Sequence, residues 1–107
     1  MAKKNTRSRP RQQVDWRSSW SARDGSVKGD GIIRDISPAG LLVESQSDLS
    51  VGERVRVWFP SPNRTTQLQV DCTVRWVGKS FFGAEFAHLE PELERYLHKE
   101  RGGGFST

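Results

Sequence analysis

The chain has 107 residues and a hydrophobic share of 34%, enough for one domain with a small core and too little for two. Its single cysteine, Cys72, excludes an internal disulfide and a cysteine-based zinc cluster, and no apolar run approaches the roughly 18 residues that would span a bilayer. The net charge of +4 is unevenly placed: Lys3, Lys4, Arg7, Arg9 and Arg11 stand in the first 11 residues without an acid, and the remainder holds 12 basic residues against 13 acidic ones.

Residues 1–12 are therefore expected to form a flexible basic arm, kept open by self-repulsion and by its lack of apolar side chains. No apolar segment of a secretory signal follows the basic N-terminus, so a soluble, cytoplasmic protein is expected. Beyond the arm, Val14, Trp16, Ser18 and Trp20 alternate with polar residues and predict a half-buried strand. Asp24-Gly25 marks a tight turn. A second strand runs from about Lys28 to Ile36, and Gly29 and Gly31 in it point to a bulge or a close backbone approach.

Pro38-Ala39-Gly40 breaks that strand, and Leu41 to Glu44 resume as a third. Arg54 to Phe59 alternate as a fourth, closed by Pro60-Ser61-Pro62-Asn63. Leu68, Val70, Cys72 and Val74 mark a long fifth strand reaching Trp76, and Phe81 to Phe86 form a sixth. The period then changes. Leu89, Leu93, Tyr96 and Leu97 fall at helical spacing, with Pro91 suited to a first turn and Glu92 and Glu94 to the positive end of the helix dipole. The run Gly102-Gly103-Gly104 is expected to stop the helix and leave 102–107 as a frayed tail. The elements predict a mainly all-β fold: a six-stranded antiparallel β-barrel with a C-terminal α-helix over residues 13–101.

The most informative phrase is Asp35-Ile36-Ser37-Pro38-Ala39-Gly40, with Arg7 and Arg11 upstream. A carboxylate, a hydroxyl and a glycine at the end of an apolar strand can hold a polar planar group. Guanine suits it, because its N1–H and N2–H₂ are adjacent donors and a carboxylate has two acceptor oxygens. Guanidinium forks match phosphate oxygens, and also the O6/N7 edge that the carboxylate leaves free.

The pairing of RxxxR (Arg7, Arg11) with DxSxxG (Asp35, Ser37, Gly40) resembles the PilZ family, which binds the bacterial second messenger cyclic di-GMP. The stretch from Val74 to Gly78, then Phe82 to Phe86 and Leu89, is similar to the end of a PilZ barrel leading into its helix. The resemblance covers nearly the whole chain. It implies a cyclic di-GMP receptor or adaptor with Arg7, Arg11, Asp35, Ser37 and Gly40 as ligand-binding residues. It further implies an arm that orders around the ligand and a changed surface offered to an unidentified protein effector. The chain departs from the family at Thr6, where a basic or bulky residue often stands, and this bears on whether one or two ligand molecules bind.

Each assignment has a plainer alternative. Arg7 and Arg11 could be solvated tail charges. Arg9 is out of phase with the motif and reads as an exposed charge, with ligand contact as the second reading. Asp35 and Ser37 could serve only the turn, and Gly40 could answer either a positive φ or a close approach to the base. Trp76 reads as a core side chain by default, with stacking on a guanine as the alternative. Cys72, in an alternating strand, reads as a buried, inert thiol.

His88 and His98 lack acidic partners at ligand spacing. No catalytic constellation, metal cluster or phosphate-cradling glycine loop stands out, so no enzyme activity and no cofactor are expected. Single-stranded nucleic-acid binding and a ligand-independent PilZ-type interaction protein are the two rivals. The first is opposed by aromatics in the core phase and a slightly acidic body, the second by intact motifs. A monomer or weak dimer without membrane insertion is expected.

Overall fold

The computed structural model describes residues 11–62 and 66–106, those from 99 onward by backbone alone. Six strands follow in order: β1 (Gln12–Ala22), β2 (Lys28–Ile36), β3 (Gly40–Glu44), β4 (Arg54–Pro60), β5 (Gln67–Val77) and β6 (Phe81–Phe86), then helix α1 (Pro91–Ser106). They close into an antiparallel barrel in the order β1-β2-β3-β6-β5-β4, with β1 pairing both β2 and β4. Among the described strands, closure leaves no free edge to recruit another strand.

Alternation puts one face of each strand inside. Ile33, Val43, Val55, Val57, Phe59, Val74 and Phe82 are wholly buried there, and at about 25 cal/mol per Å² such side chains supply most of the drive to fold. Trp20 lies edge-on to Phe82, and its indole N–H donates to Ser45 Oγ at 3.0 Å. Gly29 lies beneath this ring: a Cβ at Gly29 would come within 2.8 Å of it. Gly31 likewise meets Val43 and the Glu44 carbonyl. Both glycines thus mark close approaches, and the bulges fall elsewhere.

Helix α1 packs Leu93 and Leu97, one turn apart, into the core. Tyr96 tilts against Trp16, which stacks on Phe59 with ring centroids 5.6 Å apart. Contrary to expectation, α1 continues through Gly102-Gly103-Gly104. Glycine lowers helix stability through backbone entropy but keeps its N–H and meets no clash, so it permits a helix that proline would break.

The turns follow their local chemistry. Gly25 has φ +79°, and Ser26 N–H donates to Asp24 Oδ1 at 2.8 Å. Hydrogen bonds from the Ser26 side chain and then its backbone hold the Asp24 carboxyl below its ordinary pKa. Cys72 is buried, and desolvation pushes its thiol up to about 12.

Candidate ligand-binding site

Strict alternation along β2 would point Asp35 inward with Ile33. A bulge between Ile33 and Asp35 in the β2–β3 pairing prevents this, making Arg34 the extra residue. The phase shifts by one, so Ile33 and Ile36 are both buried and Asp35 turns outward. Arg34 is anchored by Glu44 at 2.6 Å and Asp15 at 2.8 Å.

The same device operates on β5. Trp76 shares the phase of Val70, Cys72 and Val74 and was expected in the core, but it is 51% exposed. A bulge between Val74 and Trp76 in the β5–β6 pairing rotates it out. Its ring is held over glycines. A Cβ at Gly78 would come within 2.8 Å of the indole, and one at Gly83 within 3.7 Å of Trp76 Cβ.

The two outward residues occupy one cross-strand row. Asp35 pairs Leu42, Leu42 pairs Gly83 and Gly83 pairs Trp76. Three strand spacings put their backbones roughly 14 Å apart. Between them lies a cavity of about 590 Å³, with Leu42 and Gly83 on its floor and Arg11, Ser37, Gly40, Arg75 and Glu85 in its lining.

Ser37 organises the corner beside Asp35. Its Oγ accepts from Ala39 N–H at 3.1 Å, its N–H donates to the Gly40 carbonyl at 2.9 Å, and Phe86 N–H donates to the Ala39 carbonyl at 2.9 Å. A hydroxyl that accepts one bond still has its own O–H to donate. Asp35 takes no part in that turn: among the described residues, its carboxylate meets only Arg11, at 3.4 Å. Gly40 has no positive φ. It abuts the facing strand, where a Cβ would fall 2.1 Å from the Ala84 carbonyl oxygen.

The structure therefore brings Arg11, Asp35, Ser37, Gly40 and Trp76 around one cavity. Arg7 and Arg9 lie outside the described residues. Arg75 and Glu85, joined by a 2.8 Å ion pair, complete the lining and were not singled out from the sequence. The available signal was Trp76-Val77, two apolar neighbours ending an alternating strand. Together the groups offer two carboxylate acceptors, a hydroxyl, two guanidinium groups and a half-exposed indole, which suits an anionic ligand with an aromatic base. Among the described residues, no cluster of His, Cys, Asp and Glu is placed to hold a metal ion.

Residues 5–99 match the PilZ domain family. The chain belongs to that family. No curated protein sequence matches it. Three solved structures share the fold. The PilZ domain of CeSA from a cellulose-synthesizing bacterium superposes with a TM-score of 0.68 at 17% identity, covering 87% of this chain and 95% of that one. The Bacillus subtilis inhibitor of motility MotI/DgrA gives 0.69 at 16%, covering 91% of this chain and 52% of that one, so this PilZ chain spans about half its length. The PilZ domain of Escherichia coli YcgR, solved with c-di-GMP, gives 0.67 at 14%, covering 89% and 92%. Among the described residues, no helix of this PilZ domain is long and apolar enough to cross a membrane.

Proposed function

We propose that this PilZ domain is a receptor for cyclic di-GMP that passes ligand binding on to a protein partner. The observation that carries the reading is the row Asp35–Leu42–Gly83–Trp76, which sets a carboxylate and an exposed indole at the two ends of one cavity. The carboxylate faces the N1–H and N2–H₂ of a guanine, and the buried Ser37 hydroxyl lies beside it. The indole offers a stacking face, a contact generally worth roughly 1–3 kcal/mol per base. The YcgR PilZ domain, of similar fold, is known with c-di-GMP bound.

Arg7 and Arg11 then take phosphate oxygens and guanine O6/N7 edges. The Arg11–Asp35 pair yields to the base at little cost, because a guanidinium 67% exposed at 3.4 Å contributes at most about 1 kcal/mol. Closing the arm over the ligand builds a new surface from arm, ligand and barrel, and the partner reads that surface in the cytoplasm.

Calorimetric titration with cyclic di-GMP, with GMP and a single-stranded oligonucleotide as controls, tests the reading. Saturable binding of the cyclic dinucleotide well ahead of both controls is expected. Tighter binding of the oligonucleotide would replace it with nucleic-acid recognition.

A further inference from the structure

Arg75 is the residue that the β5 bulge leaves over, lying between Val74 and Trp76 without a partner of its own on β6. It is 61% exposed and lines the same cavity as Asp35 and Trp76. Its bond to Glu85 runs through Nε, at 2.8 Å. Among the described residues nothing engages its two Nη groups, so the edge of the fork that would meet a second pair of oxygens is unfilled. An arginine whose only purpose is to tie β5 to β6 has no need of a bulge that lifts it out of register, nor of a place in a cavity lining.

Charge points the same way. Among the described residues, the cations lining the cavity are Arg11 and Arg75, and the acids are Asp35 and Glu85. A ligand with two phosphates needs cationic partners there. Arg11 belongs to the N-terminal arm, whereas Arg75 is fixed to the barrel beside the stacking indole. Glu85 opposes phosphate directly and also occupies part of the Arg75 fork.

We propose that Arg75 is a phosphate-binding residue of this site, placed beside Trp76 by the bulge, and that Glu85 restrains it until the ligand takes over. The inference rests on the cyclic di-GMP reading above and extends it to residues outside the two motifs. The ligand phosphate replaces the Glu85 carboxylate as the acceptor of the Arg75 guanidinium, and no bond is made or broken covalently.

The test is calorimetric titration of the full chain with cyclic di-GMP at low and moderate salt, alongside thermal melts. Arg75→Ala should weaken binding on the order of 10- to 100-fold, as expected for loss of a charge-assisted bond, and flatten its salt dependence. Glu85→Gln should tighten binding severalfold, since it frees the fork and removes a repelling charge. The two substitutions thus act in opposite directions on affinity while both break the same ion pair.

If the pair is only a strand tie, both variants lose affinity together in step with lower melting temperatures, and the proposal is wrong. Unchanged affinity in Arg75→Ala, with Arg11→Ala impaired, also overturns it while leaving the receptor reading intact. Absence of binding by the unsubstituted chain overturns the receptor reading itself.

Discussion

Asp35 and Trp76 stand at the two ends of a single cross-strand row, each turned outward by a bulge at the residue before it. Without the bulges both side chains would continue the inward phase of Ile33 and Val74, and the barrel would bury a carboxylate and an indole. Leu42 and Gly83 between them give the row an apolar, low floor, on which a planar base can approach the sheet closely.

Asp35→Ala should cost guanine ligands heavily and selectively. Because the Ser37 hydroxyl, not Asp35, holds the turn at residues 37–40, the melting temperature should barely move. Asp35→Asn keeps one acceptor oxygen but sets an NH₂ against a guanine donor, so binding should be altered yet retained. Comparing cyclic di-GMP with cyclic di-AMP decides the matter: an equal loss for both would show that phosphates, not bases, are being read.

Arg11→Ala and Arg7→Ala should each weaken cyclic di-GMP binding by roughly 1.5–3 kcal/mol, about one to two decades in affinity. The Arg11–Asp35 pair is exposed and long, so its loss should leave the thermal melt within experimental error. A double variant that binds as tightly as the unsubstituted chain would remove both arginines from the site.

The indole platform can be disturbed without emptying it. Gly78→Ala places a methyl 2.8 Å from the Trp76 ring, which is half-exposed and free to swing aside. Stability should change by less than about 1 kcal/mol, as for other surface substitutions, while affinity falls. Trp76→Ala should lose roughly 1–3 kcal/mol of binding if one base stacks there. Quenching of tryptophan fluorescence by ligand should disappear with that side chain, and quenching that persists would locate the base elsewhere.

Gly40→Ala is expected to act through the fold. Its Cβ would fall 2.1 Å from the Ala84 carbonyl oxygen, a backbone atom held in the sheet. Overpacking of this kind costs typically about 1–3 kcal/mol, so the melting temperature should drop together with binding. A variant that melts normally but fails to bind would give Gly40 a direct ligand role instead.

Cys72 gives a pH signature. Burial raises its thiol from an ordinary 9.0 to about 12, so the folded state favours the neutral form. The associated stability is complete below the unfolded pKa near 9 and is lost as pH rises from there toward 12. Thiol-alkylating reagents at pH 8 should label the protein only as fast as it unfolds, and rapid labelling of the native chain would show the thiol to be exposed.

Most of the barrel was legible because alternation is a local property. Each strand's inward face is written in its own residues, and β2 and β6 have the expected bounds. The spacing of Asp35, Ser37 and Gly40 likewise pointed to residues that the fold gathers around one cavity. What the sequence could not show was which way two of its residues point. A bulge exists only in the register between neighbouring strands, so the outward turn of Trp76 is invisible in a segment whose own period places it inside. The same holds for Arg75 and Glu85, which are ten positions apart and meet only when β5 and β6 pair. Gly40 is the converse case: the sequence identified the position, and the tertiary structure supplied the reason, an approach to Ala84 across 44 residues that no local pattern encodes.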